Sequence, residues 1–311
     1  MALHGKVCLV TGATRGIGRG IALQLGESGA TVYITGRTLK ASEGSKGSLE
    51  DTAKEIEDRG GKCIPVQCDH SDDHQVVQLF ERIGREQNSR LDVLVNNAYT
   101  AVTAIFDSIS DKASFWEQDP KIWDTVNHVG LRNHYLCSVY AARMMVPAKQ
   151  GLIVNISSVG GLKYLFNVAY GIGKAAVDRM AADCAIELKK SNVAYVSLWP
   201  GAVKTELMVG FSEDREYIKG MLETAETVEF SGKCITALAL DPNIMKKSGR
   251  ILLTSELAEE YNIVDLDGTL PDSMRSLRTL LRFTGWRATA DWCPRWLKLP
   301  YWTLTVFASK F

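Results

Sequence analysis

The sequence has no run of about 18 consecutive apolar residues, the minimum that a membrane-spanning helix requires. Its seven cysteines include no C-x-x-C pair, and most of them lie in apolar runs. This pattern indicates reduced core residues of an intracellular protein and disfavours a disulfide framework. Residues 1–6 lead directly into a strand pattern, with no room for a signal peptide. We therefore expect a cytoplasmic protein.

An excess of either charge is also missing, because 36 Lys and Arg residues balance 36 Asp and Glu residues. Proteins that hold nucleic acid through its phosphates need a basic excess, so we expect no nucleic-acid partner. The five histidines lack ligand spacing with cysteines or acids, so we expect no metal site. The charge is unevenly spread, however. Residues 272–311 contain seven basic residues and two acidic ones, a net charge of +5.

Short, apolar, β-branched runs alternate with longer segments of helical period through most of the chain. This alternation is typical of a parallel sheet covered by helices on both faces. We predict a Rossmann-type, doubly wound, mostly parallel seven-stranded sheet over residues 1–254, with a C-terminal extension over residues 255–311. The predicted strands span residues 7–11, 31–35, 63–68, 91–96, 152–156, 194–199 and 250–253. The predicted helices include residues 17–28, 72–87, 122–145, 173–190 and 228–240.

A glycine-rich turn follows the first predicted strand and opens the first predicted helix. Gly12, Gly16 and Gly18 allow the backbone to turn tightly and to approach a pyrophosphate. The helix that begins near Ile17 offers free N–H groups and the positive end of its dipole to an anion. A glycine-rich turn without a ligand has the same composition, but its place in a βαβ unit favours a dinucleotide site.

No acidic residue lies between residues 31 and 42, where the second predicted strand ends. Enzymes that use NAD place Asp or Glu there to hold the ribose 2′-hydroxyl. Arg37 would instead face a 2′-phosphate, which Arg15 could also reach from the glycine-rich turn. The sequence therefore predicts NADP(H), with a solvent-exposed loop arginine as the alternative interpretation of Arg37.

Tyr170 and Lys174 have Y-x-x-x-K spacing, and six further elements lie in a fixed order around them. Together they resemble the short-chain dehydrogenase/reductase family over about residues 5–253. The six elements are the T-G-x-x-x-G-x-G turn at residues 11–18, Asp69, Asn96-Asn97-Ala98, Asn127, Ser157-Ser158, and the Pro200–Thr205 segment. Tyr99 departs from the family pattern, in which glycine usually closes the N-N-A-G element.

The resemblance implies a separate role for each of four residues in the reduction of a carbonyl group. Tyr170 would donate the proton to the substrate oxygen, and Ser158 would donate a hydrogen bond to that oxygen. Lys174 lies one helical turn from Tyr170, so its charge, with that of the oxidised nicotinamide, would favour tyrosinate, and its ammonium would hold the nicotinamide ribose. Asn127 would position a water in the proton relay. The spacing to Tyr170 also fits Ser157, but Ser158 is preferred as the residue that leaves the strand.

The resemblance also implies a set of cofactor contacts at the strand ends, with Asp69 at the adenine ring and Thr205 at the carboxamide or phosphates. The implied cofactor-binding residues are Gly12, Arg15, Gly16, Ile17, Gly18, Arg37, Asp69, Asn97, Tyr170, Lys174, Pro200, Val203 and Thr205. Ser158 and Tyr170 would contact the substrate.

Residues 206–230 resemble a flexible substrate lid rich in Glu, Lys, Met and Phe. Six apolar side chains near the site could line a pocket, although core packing explains half of them equally well: Leu162, Tyr164, Phe166, Trp199, Met208 and Phe211. We expect a lipophilic carbonyl or alcohol substrate such as a steroid, a retinoid or a xenobiotic ketone. The alternative is a catalytically silent dinucleotide-binding or membrane-surface scaffold protein on the same fold.

Aromatic and basic residues alternate over residues 283–311. Such a composition favours the membrane–water boundary, and Pro294 and Pro300 prevent one long helix. We expect peripheral contact with a membrane, of the endoplasmic reticulum given the resemblance, while packing against the body or a partner subunit is the alternative. The ending Ser309-Lys310-Phe311 is similar to a peroxisomal S-K-L signal, a weaker alternative. The resemblance also implies a homo-oligomer.

Overall fold

A computed structural model of the chain describes residues 2–43, 47–110, 113–213, 215–283 and 286–308. Seven parallel strands form one sheet in the order β3-β2-β1-β4-β5-β6-β7, which confirms the predicted fold class. The strands are β1 (Val7–Val10), β2 (Thr31–Gly36), β3 (Lys62–Gln67), β4 (Val93–Asn96), β5 (Gly151–Ile156), β6 (Val193–Trp199) and β7 (Ile251–Leu253). The strand order reverses between β1 and β4, so a crevice for ligands opens at their carboxyl ends.

Helices cover both faces of the sheet. In the described residues they are α1 (Gly16–Glu27), α2 (Leu49–Asp58), α3 (Asp73–Glu86), α4 (Val102–Ser110), α5 (Ile122–Asn127), α6 (His134–Ala148), α7 (Val168–Leu188), α8 (Glu206–Ser212), α9 (Glu216–Leu222), α10 (Phe230–Leu240), α11 (Thr254–Tyr261), α12 (Leu277–Phe283), α13 (Arg287–Trp292) and α14 (Tyr301–Ala308). None of them is long and apolar enough to cross a membrane.

Alternation along each strand builds two separate cores. In β1, Cys8 and Val10 belong to the core on the side of α1, α2 and α10, whereas Leu9 belongs to the core on the side of α3, α6 and α7. Strands buried on both faces have few polar positions, which explains the near-continuous apolar runs in the sequence. Because all seven strands are parallel, the polar residues that follow them lie together at the edge of the sheet where the strands end.

The helix predicted over residues 122–145 is interrupted. It consists of α5, a π-helical segment over His128–Asn133, and α6. A π-helical turn bonds each N–H one residue further back than an α-helix does, and such turns recur at functional sites. The interruption begins directly after Asn127, which hydropathy alone does not reveal.

The helix predicted over residues 173–190 begins earlier, at Val168. Asn167 explains this start, because its side chain accepts a hydrogen bond from the Tyr170 backbone N–H at 2.9 Å and so caps the helix. Tyr170 consequently lies in the first turn of α7, and Lys174 lies one turn further on the same face.

The C-terminal extension begins as a part of the body. Its first helix, α11, follows β7 without a linker, and Leu257 and Ala258 are buried in the core beside α10. The residues that precede α12 and α14 form ion pairs with α11. Arg275 pairs with Glu256 at 2.6 Å, and Lys298 pairs with Glu259 at 2.5 Å.

Candidate active site

The glycine-rich turn closes tightly against the end of β4. Gly12 has φ +70°, and a Cβ atom there would lie 2.7 Å from the Ala98 Cα, so only glycine fits. The Asn97 amide donates to the Thr11 and Gly12 carbonyl oxygens, both at 2.9 Å. Asn97 therefore fixes the turn, and a Cβ on Gly18 would lie 2.3 Å from its amide nitrogen. The resulting backbone cradle fits the pyrophosphate of a dinucleotide.

The N-terminus of α1 meets the beginning of the lid. The Gly16 backbone N–H donates to the Glu206 Oε2 at 2.9 Å. A Cβ on Gly16 would lie 3.4 Å from the Thr205 Cγ2, so Thr205 lies beside the glycine-rich turn as expected. Thr205 also caps α8 by accepting from the Met208 N–H. Ile17 is partly buried against the core.

The Pro200–Thr205 segment is held from behind by Glu226. Val203 is buried and forms an isolated parallel bridge with Glu226. The Glu226 carboxylate also accepts from the Gly201 N–H at 2.9 Å, and Pro200 is half-buried at the end of β6. Glu226 thus shapes the loop on which the implied contacts Pro200, Val203 and Thr205 lie.

Arg37 and Asp69 lie at the ends of the neighbouring strands β2 and β3. Arg37 is exposed, and its carbonyl oxygen accepts from the Gln67 side chain at 2.9 Å. Partial burial acts to raise the pKa of Asp69, but hydrogen bonds from Ser71 and the charge of Arg37 outweigh it and lower the pKa. Arg15 is half-buried at the start of α1. The strand ends therefore present a guanidinium and a carboxylate side by side.

Ser158 and Tyr170 meet at the end of β5. The Ser158 side chain lies close enough to Tyr170 to lower its pKa, and the Ser158 hydroxyl accepts a hydrogen bond from the Gly160 N–H at 3.2 Å. Ser157 faces the other way, where its hydroxyl donates to the Lys174 carbonyl oxygen at 3.3 Å. The geometry therefore favours Ser158 over Ser157 as the partner of Tyr170.

Burial has the largest effect on the pKa values of Tyr170 and Lys174, which lie one turn apart on α7. It raises the pKa of Tyr170 to about 12, although the neighbouring Ser158 side chain acts to lower it. Burial also lowers the pKa of Lys174 to about 8, against the charge of Asp178. The lowering of the Tyr170 pKa by Lys174 together with the oxidised nicotinamide stays a prediction.

The Lys174 ammonium lies in an enclosed place. It donates to the Ile156 carbonyl oxygen at 3.0 Å, and it lies 4.9 Å from the centroid of the Tyr99 ring and 5.9 Å from that of Tyr170. Asp178 follows Lys174 by one further helical turn and accepts hydrogen bonds from Ser197 and Trp199. The Y-x-x-x-K-x-x-x-D spacing was the available signal for Asp178, which sequence reasoning missed.

Asn127 packs against the same stretch of α7. Its side-chain amide donates to the Ala169 carbonyl oxygen at 3.3 Å, and a Cβ on Gly173 would lie 2.0 Å from its Oδ1. Glycine at position 173 therefore leaves the space for Asn127. The structure brings Asn127, Ser158, Tyr170 and Lys174 together from three separate parts of the chain.

Three phenylalanines form an aromatic cluster beside Tyr170. Phe166 contacts Tyr170 edge to face at 5.1 Å between centroids, Phe106 lies 5.6 Å from Phe166, and Phe211 lies 4.5 Å from Phe106. The Arg215 guanidinium lies 5.0 Å from the Phe211 centroid. Phe106, on α4, carries no motif, and sequence reasoning did not select it.

The other residues that were expected to line the pocket differ in how far they are buried. Leu162 and Met208 are half-buried, and Tyr164 is exposed. Trp199 is buried at the end of β6, where its indole N–H donates to Asp178 of α7 at 3.0 Å, so it packs against that helix and does not line a pocket. Among the residues that the structure describes, no group of three or more His, Cys, Asp or Glu is placed to hold a metal ion.

A model of the family described as short chain dehydrogenase matches residues 6–216. The chain therefore belongs to the short-chain dehydrogenase/reductase family, as its motifs indicated.

The relatives extend this assignment over the whole chain. The mouse and human proteins named dehydrogenase/reductase SDR family member 1 are 51% and 50% identical over 320 aligned residues, with 99% of each chain covered. An NADPH-dependent aldehyde reductase 2 of Arabidopsis thaliana is 32% identical over 67% of this chain and 75% of its own.

Solved structures agree with the fold. A protein described as a short-chain alcohol dehydrogenase from Sinorhizobium meliloti superposes with a TM-score of 0.68 at 28% identity, covering 81% of this chain and 95% of its own. A metagenomic short-chain oxidoreductase in complex with NADP gives a TM-score of 0.63 at 26% identity, covering 81% and 96%.

Proposed function

We propose that this protein is an NADP(H)-dependent oxidoreductase that interconverts a carbonyl compound and an alcohol. The observation that carries the proposal is that Ser158, Asn127 and Lys174 all lie beside Tyr170, with the Lys174 ammonium 5.9 Å from the Tyr170 ring centroid, at the sheet edge that also bears the glycine-rich turn. The bound nicotinamide would supply or accept the hydride. The residues of this chain would orient the substrate oxygen and move its proton.

Each of the four residues has a distinct role in this proposal. Ser158 donates a hydrogen bond to the substrate oxygen, and Tyr170 transfers the proton to it. Lys174 holds the nicotinamide ribose and, with its charge, opposes the rise that burial causes in the Tyr170 pKa. Asn127 holds a water that passes the proton onward.

The choice of NADP(H) depends on Arg37. It is exposed at the end of β2, where a ribose 2′-phosphate would lie, and residues 31–42 contain no acid to accept from a 2′-hydroxyl. Arg15 adds a second guanidinium from the glycine-rich turn. The NADPH-dependent relative from Arabidopsis thaliana and the NADP complex of the metagenomic oxidoreductase support this choice.

The substrate class follows from the aromatic cluster formed by Phe106, Phe166 and Phe211. Apolar rings beside the proton donor favour a lipophilic substrate such as a steroid, a retinoid or a xenobiotic ketone. A carbonyl reductase-like activity fits this surface. The experiment is a screen of NADPH consumption against aldehydes and ketones of increasing apolar surface, with NADH in parallel.

The screen also tests the alternative of a catalytically silent scaffold. We expect turnover that rises with the apolar area of the carbonyl compound and that disappears in the Tyr170→Phe variant. Binding of NADPH without turnover of any compound would support the silent alternative. Equal turnover in the Tyr170→Phe variant would remove the assigned mechanism.

The C-terminal segment supports a second, separate proposal of contact with a membrane surface. Trp292 and Trp296 are 90% and 77% exposed, and Trp286 and Trp302 are also exposed. Two basic residues of this segment, Arg282 and Arg295, are paired with the Asp272 carboxylate at 3.0 and 3.3 Å. Contact would therefore depend more on the aromatic rings than on charge.

We propose the cytoplasmic face of the endoplasmic reticulum as the location, with the peroxisome as the weaker alternative. The ending Ser309-Lys310-Phe311, on which that alternative depends, lies outside the described residues. A homo-oligomer stays a prediction from the family.

A further inference from the structure

Tyr99 occupies the position where the family usually has glycine, and its ring touches three parts of the proposed catalytic machinery. The Lys174 ammonium lies 4.9 Å from its centroid. The Tyr170 ring meets it edge to face, at 6.4 Å between centroids and an interplanar angle of 77°. A Cβ on Gly130 would lie 2.4 Å from a Tyr99 ring carbon, so the ring packs directly on the π-helical segment that follows Asn127.

Lys174 needs such a contact. The only hydrogen bond of its ammonium among the described residues is the one to the Ile156 carbonyl oxygen, although an ammonium has three donors. The side chain is flexible, and burial has removed its hydration. The face of an aromatic ring attracts a cation, and the attraction grows when both partners are shielded from water.

The contacts of Tyr99 are made by its ring and not by its hydroxyl. The hydroxyl is buried and has no hydrogen-bond partner among the residues that the structure describes. Gly130, in the π-helical segment, provides the space in which the ring lies. Phenylalanine should therefore preserve what Tyr99 does, whereas an aliphatic residue of similar bulk should not.

We propose that Tyr99 is a positioning residue that holds the Lys174 ammonium beside Tyr170 through a cation–π contact. The family's glycine provides no such contact, so in this chain the ring fixes a lysine that other members must hold by other means. This inference rests on the proposed function, in which Lys174 contacts the nicotinamide ribose and acts on Tyr170.

The experiment compares Tyr99→Leu with the conservative variant Tyr99→Phe, each in the wild-type and in the Lys174→Met background. NADPH dissociation constants are measured by fluorescence, and kcat/KM is measured with the best carbonyl compound of the screen. We expect Y99L to lower kcat/KM by about 10- to 30-fold, equivalent to a shielded cation–π contact, and Y99F to restore most of this loss.

The double-mutant cycle separates positioning from a general structural role. If Tyr99 acts through Lys174, Y99L should change NADPH affinity by less than about 2-fold once Lys174 is methionine. An equal effect of Y99L in both backgrounds, or a Y99F variant as impaired as Y99L, would overturn the proposal.

A readout independent of turnover keeps the inference separate from the proposed function. In crystal structures, Y99F should keep the hydrogen bond from Lys174 to the Ile156 carbonyl oxygen, and Y99L should lose it. An unmoved ammonium in Y99L would contradict the inference even if the protein is an active reductase. Failure of the wild-type protein to bind NADPH would contradict the proposed function alone.

Discussion

The Gly16 backbone N–H donates a hydrogen bond to the Glu206 carboxylate, although the two residues lie 190 positions apart in the chain. The contact joins the first turn of α1 to the first turn of α8. The free N–H groups of a helix N-terminus, with the positive end of the dipole, stabilise a negative charge. In this structure Glu206 provides that charge at the place where the pyrophosphate of a dinucleotide is expected.

Glu206→Gln should therefore strengthen NADPH binding by about 2- to 10-fold, because it removes a negative charge that repels the pyrophosphate. Titration of NADPH into the two proteins measures the change. Glu213→Gln is the matched control, since Glu213 is exposed at the other end of α8. Weaker binding by E206Q would mean that the carboxylate organises the lid more than it opposes the cofactor.

Tyr170→Phe should lower kcat by about 100-fold or more while NADPH affinity stays nearly unchanged, because only the proton-donating hydroxyl is lost. Steady-state kinetics measures the change in kcat, and NADPH titration measures the affinity. Tyr135→Phe, at an exposed tyrosine on α6, controls for removal of a phenol elsewhere. A Tyr170→Phe variant that keeps more than about a tenth of the wild-type rate would show that another group donates the proton.

Arg37→Asp should shift the preference from NADPH towards NADH, because a carboxylate repels the 2′-phosphate and accepts from a 2′-hydroxyl. The ratio of kcat/KM for the two cofactors is the measurement. Arg85→Asp makes the same change of charge on the exposed surface of α3 and should leave the ratio unchanged. If R37D also leaves it unchanged, the Arg37 side chain points into solvent in the complex.

Glu226→Gln should remove a pH dependence of stability. Burial raises the pKa of Glu226 from 4.5 to about 7, although hydrogen bonds from Thr254 and Gly201 oppose the shift. The folded state then binds the proton more tightly than the unfolded state does. Protonated Glu226 therefore stabilises the folded state. This contribution is complete below pH 4.5 and is lost as the pH rises through 7.

The lost stabilisation amounts to at most about 3 kcal/mol, at about 1.4 kcal/mol for each pKa unit. Urea unfolding at pH 5 and pH 8 should therefore show a smaller difference between the two pH values for E226Q than for the wild type. Glu223→Gln, at an exposed neighbour, should keep the wild-type difference. An unaltered pH dependence in E226Q would mean that a group other than Glu226 causes the change of stability with pH.

Replacing Trp292 and Trp296 together by serine should reduce sedimentation of the full chain with anionic liposomes. The loss should be similar at low and high salt, because Asp272 and other carboxylates already bind the neighbouring basic side chains. Trp116→Ser, which removes another exposed tryptophan, is the control. Equal sedimentation of the wild type, the double variant and the Trp116→Ser variant would mean that the aromatic segment packs against another protein surface and does not contact the membrane.

Local patterns predicted much of this molecule. The apolar runs located all seven strands, because strands buried on both faces exclude polar residues over several consecutive positions. The glycine-rich turn and the Y-x-x-x-K pair indicated the candidate dinucleotide cradle and the helix that bears Tyr170 and Lys174, since both depend on spacing within one short segment.

Other features depend on contacts between distant segments. The break after Asn127 involves Gly130, which packs under Tyr99, and hydropathy does not register this contact. Trp199 looked like a pocket residue by composition, but its indole N–H is directed to Asp178 inside the body. Phe106 joined the aromatic cluster only because α4 folds over Phe166.

The sequence by itself determined the class of fold, the order of its elements and the residue types available at the strand ends, because these follow from short-range periodicity and backbone freedom. The tertiary structure decided which of those residues meet. It placed Ser158 and not Ser157 against Tyr170, set Glu206 at the start of α1, and enclosed Lys174 under the Tyr99 ring. Such pairings depend on how helices seat on the sheet, and burial there overrides the pKa values that isolated side chains would have.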